Sequence, residues 1–275
     1  MKKDIRLIAF DLDETLLYSD KTLPEENRLA LLEAARAGME IVPATGRIFC
    51  GLPEFIRELP FHYAIYANGA QVVARETGEC LYDAYMPNAL ALRLMAFLDT
   101  LPVAYDCYLD GTAYMAKNFY DDLGHYIATP VYLKMVKGMR HAVEYLPDLV
   151  KQTGLPVQKA QLFTADHARK AEYMRLLTER FPELSVTTST PDNLEINAKS
   201  ANKGEALLAL CKKLGLSRKQ AMAFGDGLND VSMIEAAGLG VAMKNACPEV
   251  LRVADHVTLT NNEAGVAAAI RKFCF

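Results

Sequence analysis

Residues 8–17 read IAFDLDETLL, and they constrain the chain more tightly than any other stretch. An apolar run from Leu7 to Phe10 stops at Asp11. A second carboxylate follows at Asp13, then Thr15, Leu16 and Leu17. A buried strand that ends this way sets two acids at the edge of a core, where a bare carboxylate is very costly to bury. Such acids are hydrated, paired or bound to a cation. Taken alone, D-x-D favours a plainer reading, a strand followed by an Asx-type turn with Thr15 as a cap.

Other short apolar runs end in similar polar clusters. Met39 to Pro43 leads into Ala44-Thr45-Gly46-Arg47, Tyr63 to Ala67 into Asn68-Gly69, and Gln220 to Phe224 into Gly225-Asp226-Gly227. Leu239 to Met243 and His256 to Leu259 are two more strand candidates, and Gln71 to Ala74 reads as the return arm of a hairpin. Helical spacing fills the gaps. Thr22 and Glu25 read as a capping box opening a helix that stops at Gly38, and Asn202 and Glu205 as another opening a helix to about Leu214. Further helices are expected from Arg47 to about Leu59, with Pro53 early in it or kinking it, and over 230–237. This alternation predicts an α/β chain with a Rossmann-like, doubly wound parallel sheet covered on both faces.

The middle reads differently. Val103 to Leu109 and Thr112 to Ala116 look like strands joined by a tight Asp110-Gly111 turn. Gln158 to Thr164 and Leu184 to Thr188 are further strands, separated by helices near 88–100, 120–127 and 167–180. Strands mixed with helices point to an α+β domain with an antiparallel sheet. The expected organisation is a core from residues 1–83 and 190–275, with 84–189 inserted.

Composition removes several function classes. The 275 residues are 51% apolar with a formal net charge of −4. No Lys/Arg stripe suggests nucleic acid. No run approaches the ~20 apolar residues of a membrane span, and the N-terminal apolar run is too short for a signal peptide. The six cysteines lack CxxC spacing and read as reduced cytosolic thiols, so the expected location is the cytoplasm. The oligomeric state is left open, and a monomer is compatible with the sequence.

In open α/β sheets, ligands sit outside the carboxyl ends of the strands. Asp11, Asp13 and Asp226, far apart in sequence, therefore converge on one edge. Carboxylates with no His or Cys beside them offer hard oxygen ligands, which favours Mg²⁺ over zinc. Thr45 offers a hydroxyl and Gly46 an N–H at a helix start, which suits a phosphate. Lys203, at or next to the first position of its helix, opposes the helix dipole and is better explained by an anionic partner, a phosphate or Asp11 itself. Asn68-Gly69 reads first as a hairpin turn, and Asp230 as either an N-cap acid or part of the site. Arg47 reads as a salt-bridge partner on the core surface, with a substrate contact as the alternative.

With these motifs in place, the chain resembles the haloacid dehalogenase-like phosphohydrolases, specifically their Cof-type branch. The resemblance covers nearly the whole length and rests on DLDETLL at 11–17, ATGR at 44–47, NGA at 68–70, NKGEAL at 202–207, FGDGLND at 224–230, VAMKNA at 241–246 and ADHVTLTNNEAGVA at 254–267. It implies a Mg²⁺-dependent phosphatase acting on small phosphorylated metabolites such as sugar phosphates, with the inserted domain as a specificity cap. Asp11 would be the nucleophile that forms an aspartyl-phosphate, and Asp13 the general acid/base. Asp11, the Asp13 backbone carbonyl and Asp226 would hold Mg²⁺. Thr45, Gly46 and Lys203 would grip the phosphoryl group, with Asn229, Asp230 and Asn68 in support. A phosphotransferase or phosphomutase using the same aspartyl-phosphate is the alternative. The sequence departs from the family pattern at Glu14, where many relatives have Gly, at Asn197-Ala198, where Pro is frequent, and at Ala264, where Asp is frequent.

Overall fold

A computed structural model describes residues 3–188 and 190–275. In chain order the strands are β1 (Leu7–Phe10), β2 (Glu40–Pro43), β3 (Tyr63–Tyr66), β4 (Gln71–Ala74), β5 (Cys80–Asp83), β6 (Ala104–Leu109), β7 (Thr112–Ala116), β8 (Arg140–Val143), β9 (Lys159–Phe163), β10 (Leu184–Thr187), β11 (Asn193–Ala198), β12 (Ala221–Gly225), β13 (Leu239–Ala242) and β14 (His256–Val257). The chain divides into two compact units. One comprises the residues up to Arg47 with Leu52–Asp83 and Ala201–Phe275, the other Ile48–Gly51 with Ala84–Ser200.

The first unit is built on a parallel sheet of order β14-β13-β12-β1-β2. Its strands are apolar at nearly every position because both faces are covered. Ile8, Phe10, Ile41, Met222 and Phe224 face the helices Glu25–Arg36 and Gly265–Cys274. Leu7, Ala9, Val42, Ala221 and Ala223 face Lys203–Lys213 and Val231–Ala236. Each fully buried Phe or Ile contributes about 1.5–3 kcal/mol of hydrophobic stabilisation. Phe10 stands opposite both Pro43 and Phe224 in the ladders, so the chain leaves β1, β2 and β12 at the same level. A separate antiparallel sheet, β3-β4-β5, meets this edge through a single parallel bridge between Ala44 and Ile65.

The second unit carries a six-stranded sheet of order β10-β11-β9-β6-β7-β8, antiparallel except for the β7–β8 pair. Its α+β character matches the sequence reading, but the return crossing does not lie at 189–192. β11 pairs with β9 and β10, and the chain re-enters the first unit only at Ala201. The NLEINA pattern of β11 hid this strand, because Asn193, Glu195 and Asn197 are polar yet buried.

Two helix expectations also change. Thr22 does not cap its helix: its hydroxyl donates to Asp20 Oδ1 at 2.6 Å, and Pro24 stands at the helix entrance. The helix expected from Arg47 to Leu59 is only a short turn at Phe49–Gly51 and one helical turn at Glu54–Arg57, since Gly51 and Pro53 interrupt it. Among the described residues, the cysteines at 80, 107, 211, 247 and 274 are free thiols; the Cys50 side chain lies outside them. No helix of the described residues is long and apolar enough to cross a membrane.

Candidate active site

The level edge of β1, β2 and β12 brings the sequence-distant acids together. Asp11 follows β1, and its N–H donates to Phe224 O at 3.1 Å, which ties it to β12. Asp226 follows β12, and Thr15 donates to its Oδ1 at 2.6 Å across a separation of 211 residues. Asp230 is fully buried; its Oδ2 accepts from the backbone N–H groups of Asp226 and Gly227, both at 3.0 Å. This approach requires Gly225, because a Cβ there would lie 2.4 Å from the Asp230 Cβ. One carboxylate oxygen from each of Asp11, Asp226 and Asp230 lies within 4.8 Å of the others.

Lys203 completes the cluster. Asn202 caps the helix by accepting from Glu205 N at 2.8 Å, which fixes Lys203 at the first helical position. Its fully buried Nζ sits 2.6 Å from Asp11 Oδ1 and 2.6 Å from Asp230 Oδ1. The cost of a cation at a helix N-terminus is thus offset by two carboxylates, of which the sequence anticipated one. Burial alone would lower the lysine, but Asp11 and Asp230 more than reverse this and hold it firmly protonated.

Three carboxylates against one ammonium leave an excess of negative charge. Burial pushes the Asp11 carboxyl well above the usual range; Lys203 pulls it down, while Asp230, Asp226 and Asp13 push it further up. Asp226 is pushed up to about 7 by burial and by Asp230, against the Thr15 hydrogen bond. The donors are all hard oxygens, and no His or Cys joins the cluster among the described residues. That donor set suits a hydrated divalent cation such as Mg²⁺ or Mn²⁺. Asp230, expected only in support, belongs to the cluster as fully as Asp226.

Asp13 sits differently. Its carboxyl is turned to Arg47, which donates from Nε to Oδ2 at 3.0 Å and from Nη2 to Oδ1 at 2.9 Å. Burial would raise this carboxyl, but Arg47 and then Lys21 bring it below the ordinary value. Sequence reasoning had Arg47 as a salt-bridge partner without naming the acid. The spacing after β2 placed Arg47 on the right edge, but no sequence signal fixes which carboxylate it meets.

Thr45 is buried just past β2, and its Oγ1 accepts from Arg47 N at 3.1 Å. Gly46 follows it, but no helix begins there, so the expected helix-start N–H is absent and Gly46 offers only a loop amide. Asn68 joins the same edge: its N–H donates to Thr45 O at 3.0 Å, and its Oδ1 accepts from Asn229 Nδ2 at 3.1 Å. Asn68 and Gly69 take positive φ, 61° and 94°. A Cβ on Gly69 would lie 2.2 Å from Asn202 O, so this turn also seats the Lys203 helix.

A family model described as haloacid dehalogenase-like hydrolase matches residues 8–270. The chain is 34% identical over 269 residues to a 5-amino-6-(5-phospho-D-ribitylamino)uracil phosphatase of Bacillus subtilis, covering 98% of this chain and 95% of that protein. It is 30% identical to an HMP-PP phosphatase of Cronobacter sakazakii, covering 96% and 93%. A solved haloacid dehalogenase-like hydrolase from Bacteroides thetaiotaomicron superposes with a TM-score of 0.82 at 30% identity, covering 98% of this chain and 99% of that one.

Proposed function

The chain belongs to the haloacid dehalogenase-like hydrolases and is a phosphatase of small phosphorylated metabolites, and from that premise we propose that it works with Mg²⁺ through an aspartyl-phosphate on Asp11. The observation that carries the reading is the Lys203 ammonium, 2.6 Å from both Asp11 and Asp230, with Asp226 in the same cluster. The name of the Bacillus subtilis relative, a phosphatase of a phosphoribitylamino-uracil, favours phosphorylated pyrimidine-like or sugar-like compounds as the substrate class.

Asp11 Oδ attacks phosphorus in line, and the bond to the leaving oxygen breaks. A carboxylate is a weak nucleophile, but its attack divides one hard displacement into two easier ones. Lys203 lowers the repulsion between carboxylate and phosphate and meets the charge that develops on the equatorial oxygens. The Thr45 hydroxyl and the Gly46 N–H hold those oxygens in place. Asp13 gives a proton to the leaving oxygen and later takes one from the water that cleaves the intermediate. Asp11, Asp226, Asp230 and the Asp13 carbonyl would hold the divalent ion, which supplies further charge stabilisation when bound. Asn229 and Asn68, hydrogen-bonded to each other, brace the rim, and the cytoplasm supplies both phosphorylated metabolites and Mg²⁺.

The test is turnover of p-nitrophenyl phosphate by the parent and by Asp11→Asn, each with Mg²⁺ and with EDTA. The reading expects activity only in the parent with Mg²⁺. A variant as active as the parent would remove Asp11 from the nucleophile role.

A further inference from the structure

The fork between Arg47 and Asp13 has no part in the chemistry so far. Arg47 engages both oxygens of Asp13 at once, at 3.0 and 2.9 Å, and a planar fork fixes the orientation of a carboxyl as well as its place. The fork is itself anchored. The Arg47 N–H donates to Thr45 Oγ1 at 3.1 Å, and its carbonyl accepts from Ala67 N at 3.0 Å. The far side of Asp13 is anchored too. Lys21 lies 3.5 Å from Asp13 Oδ1 and 2.8 Å from Glu14 Oε1, Ser19 donates to Glu14 Oε2 at 2.7 Å, and Asn245 donates to the Glu14 carbonyl at 2.9 Å. Glu14 takes φ 63°, a conformation natural to Gly, so these contacts hold a turn that a glutamate would otherwise avoid.

We propose that Arg47 is a positioning residue for the second half of the reaction, holding Asp13 as the acceptor for the water that cleaves phosphorylated Asp11. The inference rests on the aspartyl-phosphate reading. In this step the water oxygen bonds to phosphorus, and the bond from phosphorus to the Asp11 oxygen breaks, its electron pair returning to the Asp11 carboxylate. The water proton passes to Asp13, and inorganic phosphate leaves. A carboxyl that accepts N–H bonds on both oxygens retains lone pairs to take a proton but carries none to give. The fork therefore serves the base role, and the acid role needs it to open at one oxygen.

A substrate with a very good leaving group separates the two roles, because its departure needs no proton. Rapid mixing of 2,4-dinitrophenyl phosphate with the parent, Arg47→Met and Arg47→Lys, each with Mg²⁺, reads both steps. For Arg47→Met the expectation is a burst of about one dinitrophenolate per chain, the mark of an accumulating covalent intermediate. A steady rate lower on the order of 10- to 100-fold should follow, with KM falling in parallel so that kcat/KM is little changed. Acid-quenched variant should carry hydroxylamine-labile phosphate, and Arg47→Lys should recover part of the steady rate. A raised KM without a burst would assign Arg47 to phosphate binding and overturn the proposal. An equal loss in both phases, with no rescue by Lys, would reduce Arg47 to a structural role and overturn it as well. The stereochemical outcome at phosphorus, read with a phosphorothioate ester made chiral with oxygen isotopes, checks the underlying reading separately: two in-line displacements give net retention, and net inversion would refute the aspartyl-phosphate whatever Arg47 does.

Discussion

Each unit of the molecule buries a cluster of charges, and the two clusters are balanced differently. In the second unit, Arg140 donates to Asp106 Oδ2 at 2.8 Å, to Gln161 Oε1 at 2.8 Å and to the Tyr108 hydroxyl at 2.9 Å. Beside it Lys159 pairs with Glu195 at 3.1 Å. Two cations meet two carboxylates. In the first unit, one ammonium meets three carboxylates. Burial raises both Asp106 and Asp226, but the next influence differs. At Asp106 it is an opposite charge, Arg140, which lowers the carboxyl; at Asp226 it is a like charge, Asp230, which raises it further. In the second unit's cluster the charges cancel within the fold, although Asp106 Oδ1 stays buried without a hydrogen-bond partner. An unbalanced cluster leaves room for a cation and a reaction, and perturbed carboxylates in such a site are what catalysis uses.

The sharpest way to break this contrast is to remove one cation from each cluster. Arg140→Met should leave Asp106 buried without its partner and cost about 3–5 kcal/mol in urea unfolding, with no recovery on adding Mg²⁺. Recovery by Mg²⁺ would mean that this cluster is unbalanced too. Lys203→Met should reduce kcat for an aryl phosphate on the order of 10²–10³-fold, as loss of one preorganised charge-stabilising donor does. Mg²⁺ should stabilise that folded variant, since its carboxylates remain.

Gly225→Ala tests the backbone approach behind the first cluster. The added methyl meets Asp230 at 2.4 Å, so a loss of about 1–3 kcal/mol is expected, together with weaker Mg²⁺ binding. Unchanged Mg²⁺ affinity would show that Asp230 can move without consequence.

The smallest effect is pH linkage. Asp226 has a folded value of about 7 against an ordinary 3.8, so the folded protein without metal holds this proton more tightly than the unfolded chain does. The stabilising contribution is complete below about pH 4 and is lost as pH rises through 7. The Mg²⁺-free protein should therefore lose stability between about pH 4 and pH 7. Because the proton competes with the ion, Mg²⁺ affinity should fall about tenfold from pH 8 to pH 6. Calorimetry at the two pH values checks this, and a pH-independent affinity would exclude Asp226 from the ligands.

How much of this was legible in the sequence depended on whether the causes were local. β1, β2 and β12 were readable because continuous apolar runs ending in polar residues have few other solutions. Their convergence followed from parallel-sheet topology, which placed Asp11 near Asp226 before any coordinates. The Lys203 helix start was readable from Asn202 and Glu205. What was missed depended on partners far away in sequence. Asp230 contacts Lys203 across 27 residues, and Asp13 contacts Arg47 across 34; periodicity does not encode either pairing. β11 and β8 were hidden because their buried polar side chains, Glu195 and Arg140, mimic a solvated surface until their partners are in place. Thr22 failed as a cap because Asp20, two residues earlier, took its hydroxyl.

Titration of the intact protein with Mg²⁺ by calorimetry, beside Asp226→Asn and Arg140→Met, puts the contrast between the clusters to its most direct trial. One ion should bind per parent chain, binding should be lost or greatly weakened in Asp226→Asn, and the folded Arg140→Met protein should bind as the parent does. Equal binding by the parent and Asp226→Asn, or no binding by the parent, would show that the surplus carboxylates of the first unit do not form a cation site.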